Sequence, residues 1–145
     1  MSHADGPVPP HGPGTDGTLP LPRPRQVVTA GEARLLLADL VRTLDGDTAL
    51  LLANAKLAAT ELVVNAHRHA GGLTGFHASL DHEHRRLVVD VEDADDRHPV
   101  GEPLAQRDPE APGGRGWALV QVLASTCLVE PLPGGGKRIR IAFAF

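Results

Sequence analysis

The sequence has little of what several classes of protein require. It holds one cysteine, Cys127, which excludes an intramolecular disulfide and argues against a zinc site built on thiolates. Basic residues are in the minority, with 14 Lys and Arg against 18 Asp and Glu and a net charge of −4. Because non-specific nucleic-acid binding needs a basic face, we expect no direct contact with nucleic acid.

Membrane and export signals are also missing. No run of about 18 apolar residues offers a membrane span. The start, MSHADGPVPP, has neither the basic segment nor the apolar core of a secretory signal. We therefore expect a soluble cytoplasmic protein that does not associate with membranes.

The first part of the chain is rich in proline and poor in large apolar side chains. Residues 1–26 hold seven of the 13 prolines and four glycines. Such a segment cannot bury enough surface to offset its ordering entropy. We predict a disordered tail over residues 1–18 and one domain over residues 19–145. Residues 19–28 could add a strand to that domain, which their prolines would confine to a sheet edge.

Two helices are predicted next. Thr29 and Glu32 have the spacing of a capping box, and apolar residues then recur at helical spacing up to Leu44. A second helix, rich in Ala and Leu, should begin at residue 47 or 48 and end near Ala70, where two glycines stop it.

After those glycines the apolar period changes to two. The alternating apolar positions are Phe76, Ala78 and Leu80, then Leu87, Val89 and Val91. This pattern predicts an antiparallel hairpin with one buried face. Asp93 shares the parity of the second set, so its carboxylate should face the core and need a partner. The alternative is a solvent-exposed Asp that opens a turn.

The remaining elements are a long loop, a helix and a second hairpin. Residues 94–113 are polar, contain four prolines and show no periodicity, which is typical of a lid over a site. Glycines at 113, 114 and 116 open a helical pattern over residues 117–124, and backbone N–H groups at such a helix start suit phosphate. A Pro-Gly-Gly-Gly turn then joins strands over residues 126–132 and 137–145. In the last strand we expect Ile139, Ile141, Phe143 and Phe145 inward and Arg138 and Arg140 outward.

This order of elements predicts the fold class. Helices and adjacent antiparallel strands in this order are typical of an α+β two-layer sandwich. We expect a mixed, mainly antiparallel sheet with helices on one face.

A polar column runs along the second helix. Glu61 and Asn65 are four residues apart, and Arg68 and His69 follow one turn later. On a helix this apolar, such side chains must be hydrogen-bonded or hold a ligand, since burying a neutral polar group unpaired costs roughly 2–7 kcal/mol. The column is therefore the first candidate site.

Other motifs are weaker. The eight histidines have no spacing typical of a metal site, and His67 and His69 diverge on their helix, so solvated or helix-end histidines are favoured over a metal centre. The glycines before Lys137 depart from a P-loop because Pro131 stands at the first-glycine position, which favours a hairpin turn. A Gly-x-Ser-x-Gly nucleophile elbow is absent.

Three pieces, in this order, resemble a known family. They are Glu61-Leu-Val-Val-Asn65, Val91-Glu-Asp93 and Gly113-Gly-Arg-Gly116. They are similar to the N box, the start of the G1 box and the G2 box of the GHKL (Bergerat-fold) ATPases. Within them, the chain resembles the small bacterial serine/threonine kinases that act as anti-sigma factors, the RsbW and SpoIIAB type. The resemblance covers residues 19–145 and implies the Bergerat ATP-binding fold.

The resemblance implies that ATP and Mg²⁺ are cofactors. Asn65 would hold Mg²⁺ through its amide oxygen, and Glu61 would be the catalytic general base that takes a proton from a serine hydroxyl. Asp93 would accept a hydrogen bond from the adenine amino group.

It also implies further cofactor-binding positions. Gly114 and Gly116 would let the backbone approach the phosphates, Arg115 would reach the phosphates or the lid, and Arg68 and His69 would add contacts from the polar column. A full G1 box continues Asp-x-Gly-x-Gly, whereas Asp95 and Arg97 stand at the glycine positions here, which predicts a less permissive turn beside adenine.

The function implied is regulatory. The resemblance indicates a protein serine/threonine kinase that sequesters a sigma factor and phosphorylates a STAS-type anti-sigma antagonist, acting as a homodimer. The alternative is a catalytically weak or inactive ATP-binding regulatory module that works by protein binding only. A fragment of a sensor histidine kinase is disfavoured, because no dimerisation helix with a phospho-accepting His precedes the domain.

Overall fold

The computed structural model describes residues 26–27, 29–97, 99 and 115–145, with Arg115 described in its backbone only. The tail predicted over residues 1–18, nearly all of the edge strand expected over residues 19–28, and most of the expected lid lie outside the described residues.

The described chain forms three helices and four strands in the predicted order. The elements are α1 (Ala30–Val41), α2 (Ala49–His69), β1 (Leu73–Asp81), β2 (Arg86–Asp93), α3 (Arg115–Leu123), β3 (Thr126–Pro131) and β4 (Lys137–Ala144). The α+β prediction is confirmed.

The four strands make one sheet in the order β1-β2-β4-β3. All three pairings are antiparallel, and the sheet's centre is the pair β2 and β4. In that pair Leu87 lies opposite Phe143 at one end and Asp93 lies opposite Lys137 at the other. The second hairpin therefore brings its turn beside the end of β2.

The core lies between one face of this sheet and the helices. Its strand residues are Phe76, Leu87, Val89, Val91, Ile139, Ile141 and Phe143, as the alternation predicted. Its α2 residues are Ala55, Ala58, Ala59, Leu62 and Val63, and their small alanines let the helix approach the sheet closely. α2 lies between α1 and α3. The opposite face of the sheet carries ion pairs, including Arg140 with Asp90 and Arg138 with Glu92.

Cap hydrogen bonds define the start of α1 and the end of α2. The Thr29 hydroxyl accepts a hydrogen bond from the Glu32 N–H at 3.1 Å, so the predicted N-cap is confirmed. The Glu32 carboxylate, however, accepts from the Thr29 hydroxyl, where a full capping box would have it accept from the Thr29 N–H. α2 ends at His69, and Gly72, at φ 114°, donates its N–H to the Ala66 carbonyl at 2.9 Å.

α2 differs from one expectation of the sequence. It is 21 residues long and contains an 18-residue window with a mean hydropathy of 1.3, so by length and composition alone this one helix of the described chain could cross a membrane. Here its apolar side is packed on the sheet and on α1 and α3. The core helix of a soluble protein has the same composition, so the hydropathy of α2 is weak support for a membrane span.

Candidate functional site

Glu61 and Asn65 lie in the second half of α2, at the border of its buried side, and both are half-buried. They face the first turn of α3. A Cβ added to Gly116 would lie 2.5 Å from Oε2 of Glu61 and 3.2 Å from Nδ2 of Asn65. The structure thus brings together two of the three predicted pieces, the polar column and the glycine-opened helix.

Neither the Glu61 nor the Asn65 side chain has a hydrogen-bond or ion-pair partner within the described part of the chain. A half-buried carboxylate and amide without partners leave hydrogen-bonding capacity unused beside a helix N-terminus. That arrangement suits a ligand that brings its own polar groups, such as a phosphate with its cation.

Asp93, at the end of β2, faces the core as its parity predicted. It is 4 % exposed, and its partner is Lys137, which is 5 % exposed. The Lys137 ammonium donates to Oδ1 of Asp93 at 2.9 Å, and the Asp95 N–H donates to the same oxygen at 3.0 Å. The alternative of a solvent-exposed Asp93 is therefore wrong.

The second oxygen of Asp93, Oδ2, accepts no hydrogen bond from any residue within the described ranges. Buried acceptors are normally satisfied, because leaving one unpaired costs free energy. A ligand N–H group at this position would satisfy Oδ2, as the predicted contact with an adenine amino group requires.

The loop after Asp93 forms a turn without the glycines of a full G1 box. Arg85 is the only non-glycine residue with a positive φ in the described chain, so neither Asp95 nor Arg97 is strained. The turn is instead built by side chains, since the Asp95 carboxylate accepts from the Arg97 N–H at 2.9 Å. The Arg97 guanidinium also hydrogen-bonds Asp95 and holds the pKa of that carboxyl well below its usual range.

The β3–β4 turn is pressed against this loop. Gly136 has φ 80°, and a Cβ there would collide with the Asp93 carbonyl oxygen. The Gly136 N–H donates to Oδ1 of Asp96 at 2.6 Å. Lys137 and Gly136 were both missed as site residues. The parity that Lys137 shares with Ile139 and Ile141 was the signal that could have placed it inward.

The other predicted site residues are less well defined by the structure. Arg68 and His69 are exposed in the last turn of α2, and no side-chain hydrogen bond or ion pair joins them to another described residue. Arg115 begins α3, so Gly116 lies inside the helix and not in a preceding turn. The Arg115 side chain and Gly114 lie outside the described residues.

The donor set fits an adenine nucleotide with magnesium. Within the described chain three features point to it: the unpaired Oδ2 of Asp93, the unpartnered side chains of Glu61 and Asn65, and the close approach of Gly116 to them. No cluster of three or more His, Cys, Asp or Glu residues able to hold a metal exists in the part of the chain that the structure describes. If Mg²⁺ is bound with the nucleotide, the Asn65 amide oxygen would hold it together with oxygens of the phosphates.

A cavity of about 620 Å³ lies elsewhere, at the far end of the sheet. It is bounded by the α1–α2 connection, Arg85, Phe143 and Phe145. The chemistry-bearing side chains lie at the Asp93 end, so this cavity is not part of the site.

Comparison with known proteins agrees with this geometry. Residues 22–143 match the model of a family described as the histidine kinase-like ATPase domain. No curated protein matches the chain. The matched range contains Glu61, Asn65, Asp93 and Gly116 and nearly all of the described fold. The chain therefore belongs to the histidine kinase-like ATPase domain family, the GHKL ATPases.

Proposed function

We propose that this protein is an ATP- and Mg²⁺-dependent serine/threonine-protein kinase that acts as an anti-sigma factor. It would sequester a sigma factor and phosphorylate a STAS-type antagonist protein, and so regulate transcription. The observation that carries the kinase step is the unpartnered Glu61 carboxylate, which lies one turn before Asn65 and against Gly116.

The proposed ATP site has two ends, one for the adenine base and one for the phosphates with Mg²⁺. At one end, Oδ2 of Asp93 would accept the adenine amino group. At the other, the first turn of α3 would present backbone N–H groups to the phosphates, and Asn65 would hold Mg²⁺ through its amide oxygen. Bound ATP supplies the phosphoryl group that is transferred.

Glu61 distinguishes a kinase from a protein that only binds ATP. A carboxylate at this position would accept the proton of a serine hydroxyl as that oxygen attacks the γ-phosphorus and the bond to the β-phosphate oxygen breaks. Its backbone site on a rigid helix keeps the base and the Asn65 amide at a fixed spacing.

The experiment measures binding and transfer separately. Isothermal titration with Mg-ATP and phosphoserine formation on STAS-type antagonists are followed for the wild type, Asn65→Ala and Glu61→Gln. We expect Asn65→Ala to lose Mg-ATP binding. Glu61→Gln should bind ATP within about threefold of wild type and lose transfer by about 10²–10⁴-fold, the usual contribution of a general base.

A matched control is Glu83→Gln, which removes an exposed carboxylate from the β1–β2 turn. It should leave both measurements unchanged. Binding of ATP without phosphoserine on any antagonist would contradict the kinase and favour the ATP-binding module that works by protein binding only. No heat with Mg-ATP would contradict both.

The remaining partners follow from the same proposal. We place the protein in the cytoplasm as a homodimer, without direct contact with membranes or nucleic acid, in keeping with its net charge of −4. Light scattering on the pure protein, alone and with a sigma factor, measures both assemblies.

A further inference from the structure

Asp93 and Lys137 are the two buried charged residues of the described chain. They lie directly opposite each other in the β2–β4 pairing, on the face that otherwise carries Val91 and Ile139. Replacing a buried ion pair by apolar residues of similar volume is often neutral or stabilising. Stability alone therefore does not account for a lysine at this position.

The described hydrogen bonds to the Asp93 carboxylate all go to one of its two oxygens. The two described donors to the carboxylate, the Lys137 ammonium and the Asp95 N–H, both bind Oδ1. The same ammonium donates to the Asp95 carbonyl oxygen at 3.0 Å, which ties the loop after β2 to β4. Oδ1 is thus fixed from two sides, and rotation of the carboxylate would break both bonds.

One-sided anchoring has a chemical consequence. A carboxylate is an acceptor only, and the donors held against Oδ1 leave the other oxygen uncovered. Oδ2 is left as a charged acceptor with a fixed direction. A hydrogen bond to a charged acceptor discriminates more strongly than a neutral one.

We propose that Lys137 is a positioning residue that sets base specificity: by holding Oδ1 of Asp93, it presents Oδ2 to the 6-amino group of a purine. This rests on the proposed nucleotide binding. Lys137 acts through Asp93 and does not itself contact the base. Its removal should therefore weaken recognition of the amino group more than binding of the triphosphate.

The test compares ATP with purine riboside triphosphate, which lacks the 6-amino group, by titration in the presence of Mg²⁺. We expect wild type to bind ATP about 10–100-fold more tightly than the analogue, the range for one hydrogen bond to a charged group. In Lys137→Met this ratio should fall to within about threefold of one. Lys56→Met is the matched control, because it removes the chain's other lysine, on α2, and should keep the wild-type ratio.

The outcomes distinguish a failure of this inference from a failure of the proposed function. If wild type binds neither nucleotide, the proposed function fails. If wild type prefers ATP and Lys137→Met keeps the same ratio while folded, the role of Lys137 is overturned and ATP binding stands. If circular dichroism shows that Lys137→Met does not fold, Lys137→Gln takes its place, since Gln keeps a donor for Oδ1 without the charge. An intermediate ratio in Lys137→Gln supports the proposal and an unchanged ratio overturns it.

Discussion

Gly116 lies against Glu61, so closely that a Cβ on the glycine would be 2.5 Å from Oε2 of the carboxylate. In a helix Gly is less favourable than Ala by about 1 kcal/mol. The glycine in the first turn of α3 therefore does not stabilise the helix but lets its backbone approach the Glu61 carboxylate. The first turn of α3 and the polar side of α2 form one unit.

Gly116→Ala should cost function without costing stability. The new Cβ would displace the Glu61 carboxylate and crowd the Asn65 amide, 3.2 Å away, but both side chains can move towards solvent. We expect at least about tenfold loss of Mg-ATP binding or of phosphoryl transfer, with an unchanged or higher melting temperature. Gly31→Ala is the matched control, since Gly31 lies in the first turn of α1 and its added Cβ would meet atoms no closer than 3.7 Å. A fully active Gly116→Ala would contradict the assignment of this space to the site.

Gly136→Ala should destabilise the fold. At φ 80° an L-residue is strained, and the Cβ would collide with the Asp93 carbonyl oxygen. We expect a loss of about 1–3 kcal/mol or more in the free energy of unfolding, measured by urea titration. Two neighbouring glycines separate the effect of backbone strain from that of the collision. Gly135→Ala would be strained at φ 96° but has open space around its Cβ, whereas Gly134→Ala has neither the strain nor a collision. Equal losses for all three would mean that the contact with Asp93 does not matter.

Local periodicity was enough to predict the elements that carry the site. The bounds of α2, the β1–β2 hairpin and the inward side chain of Asp93 all follow from spacing within one segment. The partner of Asp93 could not be deduced in the same way. Lys137 is 44 residues away in sequence, and it reaches Asp93 because β4, not β3, pairs with β2.

Two further features of the site depend on side-chain contacts that periodicity does not reveal. Gly116 was expected before the helix on propensity, yet it lies within α3, where the backbone must approach Glu61. The G1-like turn was expected to be less permissive without glycine. Carboxylates of Asp93 and Asp95 instead accept the backbone N–H groups of that turn, which lets it form at negative φ.

Asp81 should make stability depend on acid pH. The His84 N–H donates to its carboxylate at 3.1 Å, and this bond, with help from Arg86, lowers the pKa of Asp81 in the folded protein. A lowered pKa means that the stabilisation is present above the unfolded value of about 3.9 and is lost as pH falls through the folded value. As the pH is lowered from 7 to 3, the urea midpoint should therefore fall more steeply for wild type than for Asp81→Asn. Glu83→Gln, in the same turn, should follow the wild-type curve, and identical slopes for Asp81→Asn would contradict the prediction.

Cys127 should react slowly with thiol reagents. Burial of its side chain beside the core raises the pKa of the Cys127 thiol, so less of the reactive thiolate exists near neutral pH. Since it is the only cysteine, the reaction with a chromogenic disulfide reports this site alone. We expect the folded protein to react about tenfold or more slowly than the protein in urea at pH 8. Equal rates would mean that β3 opens readily or that the thiol is not covered.

In the buried ion pair of Asp93 and Lys137, the residues that favour thermal stability differ from those that favour the proposed nucleotide binding. Selection of this protein for thermal resistance alone would favour apolar residues at both positions, and it would favour them together, because one charge left without its partner is costly. Chains chosen that way would keep the sheet and the helices but lose the charged acceptor that we propose for the base. A stabilised version of this scaffold therefore has to be screened for nucleotide binding at each round, and not only for its melting temperature.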